Sequence, residues 1–201
     1  MSKIIFMYGV MDAAKSAELL MTAYKYQQLG FNTVLIKPSQ DTRSGDNIIA
    51  SRMGLSAVAD IVISPETNKE DLDNILTLLL GKDPHKSIIL VDEAQFIDPK
   101  NVHYIASKAR KLGSSMFAYG LLKTFKNTLF SGSSAWIVES DTIREIKTTC
   151  SIEGCGKKAT HNVRTVDGLP VYAGRDIEVG DAAYFSVCAN HYYNFPKIID
   201  N

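Results

Sequence analysis

The first twenty residues restrict the fold of this chain more than any other stretch. An apolar segment, Lys3–Tyr8, leads into a short turn, and Lys15 and Ser16 then open a helical pattern. Strand, turn, Lys-Ser and helix is the arrangement of a phosphate-binding loop. In such a loop, backbone N–H groups and the helix N-terminus bind phosphates, the lysine bridges them, and the serine hydroxyl meets Mg²⁺. The residues of the predicted loop are Gly9, Val10, Met11, Asp12, Ala13, Ala14, Lys15 and Ser16.

One position of the loop departs from the pattern. The residue before the lysine is normally glycine, and here it is Ala14. A Cβ atom there costs about 1–3 kcal/mol if the backbone needs a glycine conformation or a close approach to phosphate. The alternative interpretation is a chance Lys-Ser pair after an N-terminal strand, and the rest of the chain has to decide between the two.

Apolar strands and helical patterns alternate further along the chain. The predicted strands are 3–8, 31–36, 48–52, 57–63, 86–91 and 115–120, the predicted helices are 16–29, 68–80 and 99–112, and a last segment covers 135–147. A helix between two apolar strands implies right-handed βαβ units and a parallel sheet. We therefore predict an α/β fold like that of P-loop NTPases, with a parallel sheet flanked by helices.

The character of the chain changes at Cys150. The stretch that follows is glycine-rich, and Asp167-Gly168 and Ala173-Gly174 are turn signals typical of hairpins. We predict a small zinc-containing domain here. The predicted domains are 1–146 for the α/β unit, 147–195 for the small domain and 196–201 for a tail.

The balance of charge excludes several classes of protein. The 201 residues include 22 basic and 22 acidic side chains, so the chain lacks the positive charge of general nucleic-acid or membrane-surface binders. The N-terminus has no signal-peptide pattern, and no apolar run approaches the ~20 residues of a membrane span. We therefore expect a soluble, cytoplasmic protein with no nucleic-acid or membrane partner and no structural disulfides.

An acidic pair follows the most apolar strand. Asp92 and Glu93 come directly after 87–91, and runs of this kind are buried on both faces in parallel sheets. Ligands of open α/β sheets bind at the carboxyl ends of strands, where Asp92 would hold Mg²⁺ and Glu93 would accept a proton. A solvated strand end is the alternative, but the phosphate loop upstream favours phosphate chemistry.

The three cysteines and one of the histidines form two short pairs. Cys150 precedes Cys155, and Cys188 precedes His191 in a Cys-x₂-His spacing. Two such pairs match a closed tetrahedral zinc site with three thiolates and one imidazole, although the first spacing is wide. Four protein ligands leave no open position, so this zinc would be structural. The alternatives are cysteines that bind no metal, or His161 as the fourth ligand.

Several apolar side chains near the predicted loops are candidates for the pocket of a phosphoryl acceptor. Such a pocket needs apolar walls and few polar groups. Packing in the core is the favoured interpretation for each aromatic residue alone, but the set carries more weight after a phosphate loop and an acidic strand end. Its members are Met11, Phe96, Leu121, Phe125 and Phe130.

Further motifs run in order along nearly the whole chain. They are Met11 within the loop, Lys37-Pro38 with Asp41-Thr42-Arg43, residues 51–55, residues 91–96, Tyr119-Gly120-Leu121 with Phe125 and Phe130, residues 147–150, Gly180, and residues 184–192. Together they resemble the type II thymidine kinases, most closely the enterobacterial and phage branch.

The resemblance implies a kinase that transfers the γ-phosphate of ATP to the 5′-hydroxyl of thymidine, giving thymidine monophosphate. It implies that residues 9–16 bind the ATP phosphates and that Gln95 also lies on the cofactor side. By the same resemblance, Ser16 and Asp92 lie on the Mg²⁺ side and Glu93 is the general base.

The resemblance also implies how the acceptor is enclosed. Met11, Phe96, Leu121, Phe125 and Phe130 match positions around the thymine, and Tyr184 matches a position close to the sugar. A lid over about 164–184 would close on the base, with zinc anchoring its two ends to exclude water. Members of the family are usually homotetramers and are often inhibited by thymidine triphosphate, so both properties are expected here.

Two departures from the family keep a second hypothesis open. Ala14 replaces the loop glycine, and residues 124–127, Thr-Phe-Lys-Asn, stand where the family has Asp-Phe-Arg-Gly. Lys126 keeps the positive charge without the bidentate geometry of arginine. The second hypothesis is therefore a family member that binds nucleotide with weak or lost catalysis. A third, a P-loop ATPase whose zinc module binds nucleic acid, is disfavoured by the balanced charge.

Overall fold

A six-stranded parallel sheet forms the centre of the larger part of the chain. The computed structural model describes residues 2–81, 83–174 and 183–196. Its strands are β1 (Ile4–Tyr8), β2 (Asn32–Pro38), β3 (Ile48–Ala50), β4 (Ser56–Val58), β5 (Ile61–Ile63), β6 (Ser87–Val91), β7 (Ser115–Gly120), β8 (Thr142–Glu145), β9 (His161–Val166), β10 (Leu169–Val171) and β11 (Ala183–Val187). Its α-helices are α1 (Lys15–Gln28), α2 (Lys69–Leu80), α3 (Pro99–Leu112), α4 (Ser131–Glu139) and α5 (Ala189–Tyr193). The sheet order is β5-β2-β6-β7-β1-β8, with every adjacent pair parallel.

Helices cover both faces of this sheet. Leu19 and Leu20 of α1 pack on one face, in the cluster that contains Leu90 of β6. The helices α2, α3 and α4 pack on the opposite face, where Ile105 and Trp136 join the cluster of fully buried residues. All five residues of β6 are buried because the strand is covered on both sides. The predicted α/β fold, a parallel sheet flanked by helices, is confirmed.

Helix α3 shows how the local sequence sets the ends of an element. Asp98 caps it, with its side chain accepting a 2.9 Å hydrogen bond from the Lys100 N–H, and Pro99 occupies the first helical position. Gly113 ends it with φ 81°, a conformation that glycine adopts without steric cost. The helix therefore has the bounds that the sequence predicts.

Residues 57–63 form two strands rather than the single one predicted. β4 pairs with β3 in an antiparallel hairpin, whereas β5 joins the edge of the parallel sheet. The break falls at Asp60, whose N–H donates to the Leu35 carbonyl at 2.8 Å and whose Oδ2 accepts from the Leu35 N–H at 2.7 Å. These bonds tie the chain to β2 between the two strands, so the pattern of apolar residues alone does not show the break.

The last segment of the α/β unit, predicted over 135–147, also contains two elements. The apolar run Ala135–Val138 lies in helix α4, and β8 follows it at the edge of the sheet. Trp136 is fully buried, and its Nε1 donates a 3.0 Å hydrogen bond to the Ala94 carbonyl. This contact fixes the run against the turn that follows β6, which is a tertiary effect.

A second, antiparallel sheet follows, in the order β10-β9-β11. β9 and β10 are joined by Asp167 and Gly168, with φ 50° and 70°, and this is the two-residue hairpin turn that the sequence predicts. Val163 and Val187 form a small core with Tyr192 of α5. Within the part of the chain that the structure describes, no helix combines the length and the apolar character needed to cross a membrane.

Candidate active site

The phosphate loop connects β1 to α1 at the carboxyl end of the parallel sheet. Gly9 leaves no room for a side chain, because a Cβ atom there would lie 2.8 Å from the Ile146 carbonyl oxygen and 2.9 Å from the Ala13 Cβ. Ala14 has φ 57° and ψ 28° and directly precedes the first residue of α1. The loop thus takes a left-handed, glycine-type conformation at Ala14 although a side chain is present.

The loop's lysine and serine face the acidic end of β6. Lys15 is buried, and its Nζ donates a 2.8 Å hydrogen bond to the Val10 carbonyl. Ser16 Oγ donates to Asp92 Oδ1 at 3.1 Å. The structure therefore brings together the hydroxyl and the carboxylate that the sequence assigns to Mg²⁺, and such oxygen atoms are the ligands that Mg²⁺ prefers.

Burial shifts the charges of this cluster. It lowers the pKa of Lys15, and the neighbouring Glu93 and Asp92 only partly offset the effect. Burial raises the pKa of Asp92 to about 7, and the negative charge of Glu93 acts in the same direction. Lys15, Asp92 and Glu93 are thus buried together, and a divalent cation bound beside them would favour the charged form of the Asp92 carboxyl.

Glu93 is held by two hydrogen-bond donors. Arg43 forms an ion pair with Oε1, and Gln95 Nε2 donates to Oε2 at 2.5 Å. Arg43 Nε also donates a 2.7 Å hydrogen bond to Asp41 Oδ1. Burial lowers the pKa of Arg43, but Glu93 and Asp41 outweigh it and hold the pKa above its ordinary value. Glu93 itself has φ 43°, a conformation uncommon for glutamate and typical of functional sites.

Gln95 links the ends of β6 and β7. Its amide is buried, donating to Glu93 and accepting a 2.9 Å hydrogen bond from the Leu121 N–H at Oε1. Gly120 makes room for this amide, since a Cβ atom there would lie 2.7 Å from Gln95 Oε1. Gln95, which the resemblance places on the cofactor side, thus holds the carboxylate of Glu93 by a buried hydrogen bond.

The candidate acceptor residues include two aromatic pairs. The rings of Phe96 and Phe130 meet edge to face, with centroids 5.7 Å apart. The rings of Phe125 and Tyr184 do the same at 6.4 Å. Leu121 directly follows β7, and Phe125 and Phe130 are buried. These side chains come from loops after β6 and β7 and from β11, so two sheets contribute to the group.

The three cysteines and His191 come together as the sequence predicts. Cys150 Sγ and Cys188 Sγ lie 3.4 Å and 3.6 Å from His191 Nδ1, and Cys155 Sγ lies 4.0 Å from Cys188 Sγ. All four ligand atoms lie within 4.8 Å of one another. Tetrahedral zinc, with Zn–S near 2.3 Å and Zn–N near 2.0 Å, separates its ligands by about 3.5–3.8 Å. The four residues fit a structural zinc ion.

The two open questions about this cluster have local answers. Gly154, with φ 71°, and a 3.0 Å hydrogen bond from the Cys155 N–H to the Ile152 carbonyl form a turn that closes the wide spacing. His161 is not the fourth ligand, because its ring stacks on Tyr192 with centroids 4.6 Å apart and stands outside the cluster.

Comparison with known proteins decides the family. The family model for thymidine kinase matches residues 2–192. The chain belongs to the thymidine kinase family. A thymidine kinase of Lactococcus lactis subsp. lactis is 39% identical over 200 residues, covering 98% of this chain and 100% of that protein. Thymidine kinases of Streptococcus pyogenes serotype M28 and Lactiplantibacillus plantarum are 37% and 34% identical over 199 residues, covering 98% of this chain and 100% and 99% of those proteins.

The family predicted from the motifs is thereby confirmed. Membership of the thymidine kinase family implies ATP and a metal ion, and the Cys₃His cluster adds a fitting site for zinc. The assignment to the enterobacterial and phage branch stays a prediction.

Two arginine contacts in this thymidine kinase family member carry no role in the sequence analysis. Arg43 belongs to a quoted motif, but its pairing with Glu93 joins residues far apart in the chain. Arg52, in the turn of the β3–β4 hairpin, forms an ion pair with Asp12 of the phosphate loop. Each arginine belongs to one of the motifs quoted in the sequence analysis. Membership of a motif does not show which carboxylate the arginine pairs with.

The small sheet makes a contact with the loop that no sequence pattern indicates. The Met11 N–H donates a 2.8 Å hydrogen bond to Asn162 Oδ1, and Ser186 Oγ donates to the Met11 carbonyl. Met11, proposed for both phosphate and thymine, is therefore fixed by its backbone to β9 and β11.

The proposed lid is described in part. Residues 164–174 form the end of β9, β10 and the start of the following segment, whereas 175–182, including Gly180, lie outside the described residues. Lys126 Nζ donates a 3.2 Å hydrogen bond to the Gly174 carbonyl.

The turn at 124–127 contains Asn127 where the resemblance implies glycine. Asn127 has φ 60°, and its side chain accepts a 2.8 Å hydrogen bond from Lys123. The turn at 124–127 thus keeps a glycine-type conformation.

Proposed function

We propose that the chain transfers the γ-phosphate of ATP to the 5′-hydroxyl of thymidine, giving ADP and thymidine monophosphate. The observation that carries the proposal is the placement of Glu93, a buried carboxylate directly after Asp92, which itself accepts a 3.1 Å hydrogen bond from Ser16 of the loop. Relatives named thymidine kinase that match over 98% of the chain supply the substrate.

The donor is bound by the phosphate loop. Residues 9–16 form the donor site: the Gly9 and Met11 N–H groups bond to the Gly120 carbonyl and to Asn162 Oδ1, and the remaining loop N–H groups at the N-terminus of α1 bind the phosphate oxygens. Lys15 exchanges its bond to the Val10 carbonyl for one to phosphate. Ser16 and Asp92 supply oxygen ligands for Mg²⁺. That ion, when bound, neutralises charge on the phosphates.

Glu93 acts on the acceptor. Its carboxylate takes the proton of the 5′-hydroxyl as the new O–P bond forms and the bond from the γ-phosphorus to the bridging oxygen of ADP breaks. Gln95 holds Oε2 of this carboxylate at 2.5 Å, and Oε1, which pairs with Arg43, is the oxygen that accepts the proton. The thymine is enclosed by Met11, Phe96, Leu121, Phe125 and Phe130, with Tyr184 near the sugar.

Several finer features belong to this proposal. We place the domains at 1–146, 147–195 and 196–201, with structural zinc held by the Cys₃His cluster and a lid over about 164–184. The resemblance supports a homotetramer, thymidine triphosphate as a feedback inhibitor, and a cytoplasmic location. The balanced charge supports the absence of a nucleic-acid partner. The comparisons give no support to a family member without catalysis.

Incubation with ATP, Mg²⁺ and thymidine tests the proposal. Chromatography should show thymidine monophosphate and ADP in equal amounts, and thymidine should raise the melting temperature. Glu93→Gln, purified in parallel, controls for a contaminating kinase because it should give little product. No product from the unaltered chain, together with no thymidine-induced stabilisation, would overturn the proposal.

A further inference from the structure

Two side chains of the small sheet hold one residue of the phosphate loop from both sides of its backbone. Asn162 Oδ1 accepts from the Met11 N–H at 2.8 Å, and Ser186 Oγ donates to the Met11 carbonyl. Asn162 and Ser186 are directly opposite each other in the β9–β11 pair. Cross-strand partners present their side chains on the same face of a sheet. Asn162 and Ser186 therefore reach the N–H and the carbonyl of Met11 from one face of the small sheet.

In this contact, which we call the Met11 clamp, the two side chains are buried and Met11 itself is partly buried. Asn162 is 5% exposed and Ser186 is 2% exposed. A partly buried backbone N–H or carbonyl that loses its partner bears part of the cost of desolvation, because water replaces the bond only incompletely. The clamp therefore favours one position of Met11 strongly, and with it one path for the loop that follows.

The loop after the clamp contains two residues in a conformation that side chains disfavour. Asp12 has φ 60° and Ala14 has φ 57°. Left-handed conformations of residues other than glycine persist where the surrounding structure over-determines them. Met11 is the residue directly before Asp12, so the clamp holds the chain where this disfavoured stretch begins.

We propose that Asn162 and Ser186 are positioning residues that keep the phosphate loop in its phosphate-binding conformation and compensate for Ala14. A loop with glycine at this position adopts the conformation without such support. In this chain the support comes from the zinc-bearing sheet, since Ser186 lies two residues before the zinc ligand Cys188. The inference rests on the proposed function for the identity of the ligand, a nucleoside triphosphate.

The decisive experiment measures binding of a non-hydrolysable ATP analogue with Mg²⁺ by calorimetry. Asn162→Ala and Ser186→Ala should each weaken binding about tenfold, the effect of losing one buried hydrogen bond. Ser114→Ala is the matched control: Ser114 is also a buried serine, but it lies just before β7, and its hydroxyl donates to the Pro84 carbonyl at 2.7 Å. This control should bind the analogue as the unaltered chain does.

A second substitution separates positioning from general damage. Ala14→Gly should change binding less than about threefold in the unaltered chain, where the clamp already keeps the competent loop dominant. In Asn162→Ala it should restore most of the lost affinity, because glycine removes the conformation's cost when the clamp is absent. A purely structural role for Asn162 would give no such rescue.

The outcomes distinguish this inference from the proposed function. Affinity unchanged in both clamp variants, or Ala14→Gly without any rescue, overturns the clamp. Zinc content and melting temperature are measured first, and if Ser186→Ala loses zinc, Asn162→Ala with and without Ala14→Gly decides alone. Absence of both thymidine monophosphate and thymidine-induced stabilisation in the unaltered chain would overturn the proposed function and leave the binding measurements intact.

Discussion

The phosphate loop and the zinc cluster both bind their ligands from turns, but they use different parts of the chain. The loop offers backbone N–H groups, so its geometry depends on the φ and ψ angles of residues such as Asp12 and Ala14. The zinc cluster offers four side-chain atoms, so its geometry depends on the identity of each ligand. A backbone site accepts side-chain replacements that its conformation tolerates, whereas a side-chain site loses a ligand with any replacement.

This difference accounts for the positions at which the resemblance implies departures from the family. The departures lie at Ala14 and in residues 124–127, where turns keep glycine-type φ angles without glycine. At the zinc cluster the spacing of Cys150 and Cys155 is wide, but all four ligand atoms come together. Contacts from outside the loop, the Met11 clamp above all, supply the support that a backbone site with non-glycine residues needs.

The largest expected effect is at the zinc cluster, with Cys188→Ala. Structural zinc sites contribute binding free energy on the order of 10 kcal/mol, and removing one ligand forfeits most of it. Zinc content should fall well below one ion per chain. Amide exchange should become fast in β9 and β11 while the six-stranded sheet stays protected. Lys157→Ala, an exposed change beside the cluster, is the control; full zinc content in Cys188→Ala would contradict the side-chain dependence.

Glu93→Gln tests a residue that belongs to both kinds of site, since its side chain reacts and its backbone has φ 43°. The amide does not accept the proton, so kcat should fall about 10²–10⁴-fold. Binding of the ATP analogue should change little because the loop is intact. Glu139→Gln, whose carboxylate pairs with His103 on the surface, is the matched control. A variant that retains a tenth of the original kcat would argue against Glu93 as the base.

Ala14→Gly should act on stability more than on function. Replacing alanine by glycine at a positive φ removes strain, so the free energy of unfolding should rise by about 1 kcal/mol. Ala13→Gly is the matched control: Ala13 is buried and not at a positive φ, and glycine there should lower the free energy of unfolding by a similar amount. Equal changes at both positions, measured by denaturant titration, would show that the loop's conformation is not what Ala14 restricts.

The smallest effect is expected at Asn127. Asparagine tolerates the left-handed conformation, so Asn127→Gly gains little from strain relief and loses one exposed hydrogen bond to Lys123. The free energy of unfolding should change by less than about 0.5 kcal/mol. A loss above about 1.5 kcal/mol would show that this turn, unlike the phosphate loop, is defined by its side chain.

Much of the fold and of the site could be predicted because the signals are local. The phosphate loop, the acidic end of β6 and the cysteine pairs are each contiguous stretches in which residue type and spacing follow from the chemistry. The break at Asp60 and the helix around Trp136 depend on partners elsewhere, Leu35 and Ala94, that no local pattern contains. The contacts of Met11 with Asn162 and Ser186 cross most of the chain, so the sequence does not indicate them.

The position of β1 in the sheet has a consequence for synthesis of the chain. β1 is made first, yet its neighbours in the sheet are β7 and β8, which end at Gly120 and Glu145. At about 5–20 residues per second, the ribosome needs several seconds or more to supply them. During that time the apolar strand before the phosphate loop has neither neighbour, so we expect nascent chains that end before Ser115 to depend on chaperones.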